Sequence, residues 1–85
     1  MGWTVRLTAS AVRDLARLDP QVARRVIKKL EDAAAADPPR GFERLVGADD
    51  HKLRVGDHRV LALFSYETRT ILVERVEHRS RVYRK

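Results

Sequence analysis

The chain is predicted to fold as one α+β domain, with two N-terminal helices packed on one face of a mainly antiparallel four-stranded sheet. Three observations predict this. Trp3 to Leu7 alternates with a period of two, an apolar stripe of helical period runs from Val12 to Ala34 with one break at Asp19-Pro20, and three β-rich runs separated by short turns follow from His51.

In the first run Trp3, Val5 and Leu7 alternate with Thr4 and Arg6, as in a strand with one buried face. Thr8 and Ser10 are N-cap candidates for a short helix whose apolar positions are Val12, Leu15, Ala16 and Leu18. Asp19-Pro20 opens a second helix, because Asp caps well and proline is tolerated at the first helical position, where its missing N–H is not needed. Val22, Ala23, Val26, Ile27, Leu30, Ala33 and Ala34 keep its stripe until Asp37-Pro38-Pro39 stops it. Arg24, Arg25, Lys28 and Lys29 line the opposite face and read as a solvated surface. After a Pro-Pro-Arg-Gly loop, Phe42 to Val46 pairs briefly and Gly47-Ala48-Asp49-Asp50 turns. His51–Val55 and His58–Tyr66 flank Gly56-Asp57, and glycine first in a two-residue turn suits a type II′ hairpin. Thr70–His78 is the last strand and Arg79–Lys85 a basic tail. The order is β-α-α-β-β-β, and residues 1–85 form a single domain without an internal repeat or linker.

Of the 85 residues, 18 are Lys or Arg and 12 Asp or Glu, a net charge of +6 that points to a polyanion, either a nucleic acid or an acidic protein. The absence of cysteine excludes disulfides, thiol nucleophiles and Cys-based zinc sites. No apolar run approaches the roughly 18 residues of a membrane span, and the opening residues lack the layout of a signal peptide. A cytoplasmic location without a membrane partner is therefore expected.

The hairpin carries the sharpest geometry. With a two-residue turn Val55 faces His58, Arg54 faces Arg59 and Leu53 faces Val60, and directly opposed residues project from the same side. Lys52, Arg54 and Arg59 then share the open face, while Leu53, Val55, Val60, His51 and His58 point to the helices. Opposed arginines repel, which a polyanion would relieve; splaying into water to guard the sheet against aggregation is the alternative use of such a face. Arg79 and Tyr83 follow the last strand, four residues apart, and a tyrosine beside a cationic groove is either a packing residue or a stacking platform for a base.

His51-Lys52-Leu53-Arg54-Val55-Gly56-Asp57-His58-Arg59-Val60 resembles the strand-turn-strand of RelE/ParE-type toxins, usually worded close to Tyr-Arg-Leu-Arg-Val-Gly-Asp-Tyr-Arg-Val. Val76-Glu77-His78-Arg79-Ser80-Arg81-Val82-Tyr83 is similar to the family's closing Val-Gly-His-Arg-x-x-Val-Tyr. The Asp14-Leu15-Ala16-Arg17-Leu18 helix, Asp37-Pro38 and Leu45-Val46-Gly47 also match in order, so the resemblance spans nearly the whole chain. It implies a RelE-like microbial RNase fold and the toxin of a type II toxin–antitoxin module. In RelE members the toxin is a ribosome-dependent endoribonuclease cutting mRNA; ParE members share the fold and poison DNA gyrase. Lys52, Arg54, Arg59, Arg79 and Tyr83 fall on the RelE catalytic positions, which favours the nuclease, with Arg81 and Arg84 as further RNA contacts. The partners implied are the 70S ribosome with mRNA and a cognate antitoxin with an acidic, partly disordered C-terminal segment, with DNA binding only through the antitoxin complex. The chain departs from the pattern at Arg54, where RelE has lysine, at Ala62, where tyrosine is frequent, and at His58, which replaces an aromatic residue.

Cleaving RNA without a metal needs a base for the 2′-hydroxyl, cations on the transition state and a proton for the departing 5′-oxygen. No acidic metal cluster is evident, and no cofactor or metal is expected. Arginine stays charged, so Arg54, Arg59 and Arg79 read as phosphate clamps. Lys52 is the titratable cation of the hairpin face and so its candidate base. His78, beside Arg79, is the candidate general acid, with water or a ribosomal group as the alternative. ParE-type gyrase inhibition and a non-catalytic RNA- or ribosome-binding module are the competing readings.

Overall fold

The computed structural model describes residues 2–45 and 50–78. In chain order the elements are β1 (Thr4–Leu7), α1 (Ala9–Ala16), α2 (Pro20–Ala34), β2 (Phe42–Arg44), β3 (Asp50–Val55), β4 (His58–Ser65) and β5 (Thr70–His78). Thr8 Oγ1 accepts from the Ala11 amide at 3.1 Å and starts α1. Asp19 Oδ1 does the same for α2 from the Gln21 amide at 2.9 Å, with Pro20 in the first turn.

The strands form one sheet in the order β1-β5-β4-β3-β2, with β1 parallel to β5 and every other pair antiparallel. The chain leaves β1, crosses the sheet through the two helices, enters at the far edge as β2 and steps back by neighbouring strands until β5 lies beside β1. The expected four strands are thus five. Phe42 to Arg44 earns a place because Phe42 lies opposite Leu53 on the apolar side while Glu43 lies opposite Lys52 on the other. The expected turn at Gly47-Ala48-Asp49 and the tail from Arg79 lie outside the described residues.

Ala11 of α1 and Val26, Leu30 and Ala34 of α2 pack against Leu53, Val60, Ile71, Val73 and Val76 of the sheet. All the helical burial falls on one sheet face, so among the described residues no helix covers the other. His51 belongs to the buried side, its ring stacked on Phe64 with centroids 3.7 Å apart, and Phe42 meets Phe64 edge-on.

Two features depart from simple alternation. Along β5 the buried residues are Ile71, Val73 and then Val76, because a bulge intervenes: Ala62 pairs with Val73 but Leu61 pairs with Arg75. The bulge is held by the start of α1. The Thr8 amide donates to the Val73 carbonyl (3.0 Å) and its hydroxyl to the Glu74 carbonyl (2.9 Å). Six residues on, the Asp14 carboxylate accepts from the Val76 amide (2.9 Å) and Arg75 Nε (2.8 Å). Second, α2 ends at Ala34 rather than at Asp37. The carbonyls of its last turn are taken from outside the helix, Ala34 by the Trp3 amide at 2.7 Å and Ala33 by the Arg40 amide at 3.2 Å. Asp37 is left to accept from the Trp3 indole at 2.9 Å and to pair with Arg69 at 3.4 Å.

Candidate functional site

The site is a consequence of the β3–β4 turn. Gly56 has φ +60°, and Arg69 is the one described non-glycine residue with positive φ, so Asp57 does not share that conformation. Positive φ at the first turn residue alone is the type II′ pattern. It fixes the register as Val55 opposite His58, Arg54 opposite Arg59, Leu53 opposite Val60 and Lys52 opposite Leu61. Leu53, Val55 and Val60 are buried beneath the helices, so Lys52, Arg54 and Arg59 rise together from the open face.

Neighbouring strands complete two rows across that face. One runs Glu43, Lys52, Leu61, Arg75 and the next Arg54, Arg59, Glu77. Glu43 reaches Lys52 Nζ at 3.6 Å, and Glu77 lies 4.0 Å from Arg75 Nη1. The side chain of Lys52 is only 17% exposed, whereas that of Glu43 is 72% exposed. The lysine stem therefore lies along the sheet while its carboxylate partner stands in water, where such a pair is weak and readily exchanged. Arg54 and Arg59 are directly opposed like charges, an arrangement that costs free energy and that an anion between them would reverse. Toward the other end the same face turns half-apolar at Leu61, Leu63 and Leu72, with Arg6 on the β1 edge.

His78 stands elsewhere. It is opposite His58, which is opposite Val55, and so shares the helix side. The sheet separates it from the cations it was expected to serve. Burial lowers the pKa of His58, and the charge of His78 lowers it further against a smaller opposing effect of Asp57. Arg79, Arg81, Tyr83 and Arg84 lie outside the described residues. The carboxylates Glu43 and Glu77 were not anticipated, since their place on the cationic face follows from the β2–β3 and β4–β5 registers, which the hairpin spacing does not fix.

Arg75 points from the same surface toward α1. The pKa of Asp14 is lowered: burial works to raise it, but the Arg75 and Val76 hydrogen bonds and the charges of Arg75 and Arg17 outweigh that. Arg75 is correspondingly held in its charged form by Asp14. No group of three or more His, Cys, Asp or Glu able to hold a metal ion occurs among the described residues. No helix there is long and apolar enough to cross a membrane.

A family model for the ParE toxin of type II toxin–antitoxin systems matches residues 5–83. The chain belongs to this toxin family. Toxin RelG of Mycobacterium tuberculosis is 32% identical over 87 residues, covering 100% of both proteins. Among solved structures, a chain of the RelBE2 toxin–antitoxin complex of M. tuberculosis superposes with a TM-score of 0.76 at 32% identity, covering 93% of this chain and 100% of that one. A variant of the Escherichia coli RelE toxin with two arginines replaced by alanine, in its free state, gives 0.79 at 20% identity over 99% of this chain and 93% of its own, a likeness of fold. The RelE-like fold expected of the toxin is the one observed, with two helices on one side of the sheet.

Proposed function

We propose that this toxin is a metal-independent, ribosome-dependent endoribonuclease that cuts mRNA and so stops translation, and that a cognate antitoxin with an acidic segment silences it. The observation that carries the reading is the grouping of Lys52, Arg54 and Arg59 on the one sheet face that the helices leave uncovered. Arg54 and Arg59 present guanidinium forks to a scissile phosphate, where they hold the charge that grows on its oxygens. Lys52 accepts the 2′-hydroxyl proton as its neutral amine, for which its ammonium first gives a proton to solvent once RNA has displaced Glu43. Arg79 and Tyr83 complete the set as a further clamp and a base-stacking platform, with Arg81 and Arg84 along the RNA. Because His78 lies across the sheet, the proton for the 5′-oxygen comes from water or from a ribosomal group. Among the described residues the open face has no walls to align a flexible RNA, so the ribosome supplies the alignment.

The antitoxin reading draws support from RelE-like neighbours solved as complexes with RelB, among them those of M. tuberculosis and Pyrococcus horikoshii. The competing outcome is inhibition of DNA gyrase by occupancy, which the resemblance to ParE-type toxins implies.

The test is cleavage of mRNA on programmed ribosomes by the wild type and by a Lys52→Ala/Arg59→Ala variant. Loss of one preorganised charge at a developing oxyanion lowers the rate by about 100–1,000-fold, so the folded double variant should be inactive. Undiminished cutting by that variant, efficient cutting of naked RNA, or no cutting together with inhibited gyrase supercoiling would each overturn the proposal.

A further inference from the structure

The open face of the sheet changes character along its strands, and the proposed cleavage uses only the hairpin end of it. Four residues along β4 from Arg59, about 13 Å at a rise of about 3.3 Å per residue, Leu63 lies opposite Leu72, and Arg6 of β1 lies opposite Leu72 in turn. Both leucines are half-buried. They floor a cavity of about 540 Å³ that Arg6, Ser65, Thr68 and Thr70 also line. Taking the proposed RNA cleavage as given, we infer that this cavity is a nucleobase subsite, which receives one unstacked base of the single-stranded RNA whose phosphates lie on Lys52, Arg54 and Arg59.

Charge decides which part of a nucleotide fits where. The row of residues through the cavity runs Asp50, Leu63, Leu72, Arg6, with one carboxylate and one guanidinium at its two ends, so it offers a phosphate no surplus of cation. An acidic peptide finds no surplus there either. The apolar floor suits a flat ring, and the volume falls within the roughly 300–1,000 Å³ of small-molecule sites. Among the described residues Arg6 makes no ion pair, which leaves its guanidinium to lie on the ring or to donate to acceptors on its edge. A cluster of hydroxyls supplies the complementary groups: Thr68 Oγ1 lies 2.9 Å from Ser65 Oγ and 3.0 Å from Thr70 Oγ1. With two lone pairs on each oxygen, the cluster keeps acceptors for the N–H groups of a base. Phosphate contacts fix where the strand lies and carry no sequence information, whereas a pocket for a base can carry it. The cavity shares a face with the hairpin cations and lies within a few nucleotides of them, so one extended strand reaches both.

The experiment is an NMR titration of the isotope-labelled full chain with a short single-stranded RNA, and with copies of that RNA in which an abasic site replaces one nucleotide at a time. Intact RNA should shift the amide signals of Lys52, Arg54 and Arg59 together with those of Leu63, Thr70 and Leu72. An abasic site at one position should silence the second group, keep the first and weaken binding about tenfold, the worth of one stacked base. Because the RNA is altered and the protein is not, this readout is independent of how any variant folds. Arg6→Ala, at an exposed edge position, should weaken intact RNA and leave the abasic copy bound as by wild type. Shifts confined to the hairpin cations, equal binding of every abasic copy, or a folded Arg6→Ala variant indistinguishable from wild type would overturn the subsite while the cleavage reading stands. An RNA that shifts neither group would remove both. A response of Leu63 and Leu72 to an acidic amphipathic peptide but not to RNA would make the cavity a protein-docking groove instead.

Discussion

Replacing Asp14 by alanine should loosen the joint between α1 and the last strand. The carboxylate, 10% exposed, accepts from the Val76 amide at 2.9 Å and from Arg75 Nε at 2.8 Å. Alanine leaves the part-buried amide without its acceptor, at a cost of about 1–3 kcal/mol. The lost ion pair adds less, about 0.2–1 kcal/mol, because the Arg75 guanidinium is 46% exposed and solvent screens it. A total near 2 kcal/mol corresponds to a fall in Tm of about 8–16 °C for a domain of this size. Asp14→Asn can keep the amide bond and lose the charge, so its fall should be the smaller. The pH dependence follows from the lowered pKa. Stability from the ionised carboxylate is present above its ordinary value of 3.8 and is lost as pH falls through that value toward the depressed one in the folded protein. The gap between wild type and Asp14→Asn should therefore be full at pH 7 and shrink on acidification below the ordinary value. Thermal unfolding followed by circular dichroism at both ends of that range measures it. A Tm for Asp14→Ala within about 2 °C of wild type, or a gap to Asp14→Asn that ignores pH, would refute the reasoning.

Thr8→Ala removes the cap on the Ala11 amide and the bond to the Glu74 carbonyl, and should cost about 1–2 kcal/mol in denaturant unfolding, with Thr8→Ser recovering most of it. Gly56→Ala meets no atom within 4 Å, so its cost should be that of φ +60° alone, about 1–2 kcal/mol, with the hairpin register unchanged by NMR. If an acidic antitoxin segment docks on the Lys52, Arg54 and Arg59 face, its association rate should fall steeply between low and physiological ionic strength while dissociation changes less. Stopped-flow rates indifferent to salt, or unaltered by removing those charges, would place the docking elsewhere.

The hairpin was legible because both determinants are local. Gly56 at the first turn position sets the pairing, and alternation from Leu53 to Val60 sets which side is buried, so the Arg54–Arg59 opposition follows within a few residues. Both helix starts were legible for the same reason, through Thr8 and Asp19. The partner of β1 was not. Trp3 to Leu7 declares a half-buried strand but says nothing about which strand lies beside it, and the parallel pairing with Thr70–Val73 is fixed by the path of the helices. The end of α2 was misjudged because Ala33 to Ala36 favour helix, whereas Trp3, distant in sequence, takes the Ala34 carbonyl. Of the candidate site, the hairpin cations were foreseen. Glu43, Glu77 and the siting of His78 depend on the β2–β3 and β4–β5 registers, the latter interrupted by a bulge that alternation alone conceals.

The pairing of Thr4–Leu7 with Thr70–Val73 also has a bearing on how the toxin is made. Among the described strands, synthesis delivers β1 first and its neighbour β5 last. Until β5 emerges, β1 has no strand to pair with, and neither Thr8 nor Asp14 has the carbonyl and amide groups of residues 73–76 that it holds in the finished fold. Contacts of such long sequence separation carry a large loop-closure entropy and form slowly. Translation thus runs nearly to the end of β5 before the sheet can close, and the nascent chain exposes its cations on an unfinished surface. A partner that recognises the closed sheet therefore finds its surface only once β5 is in place.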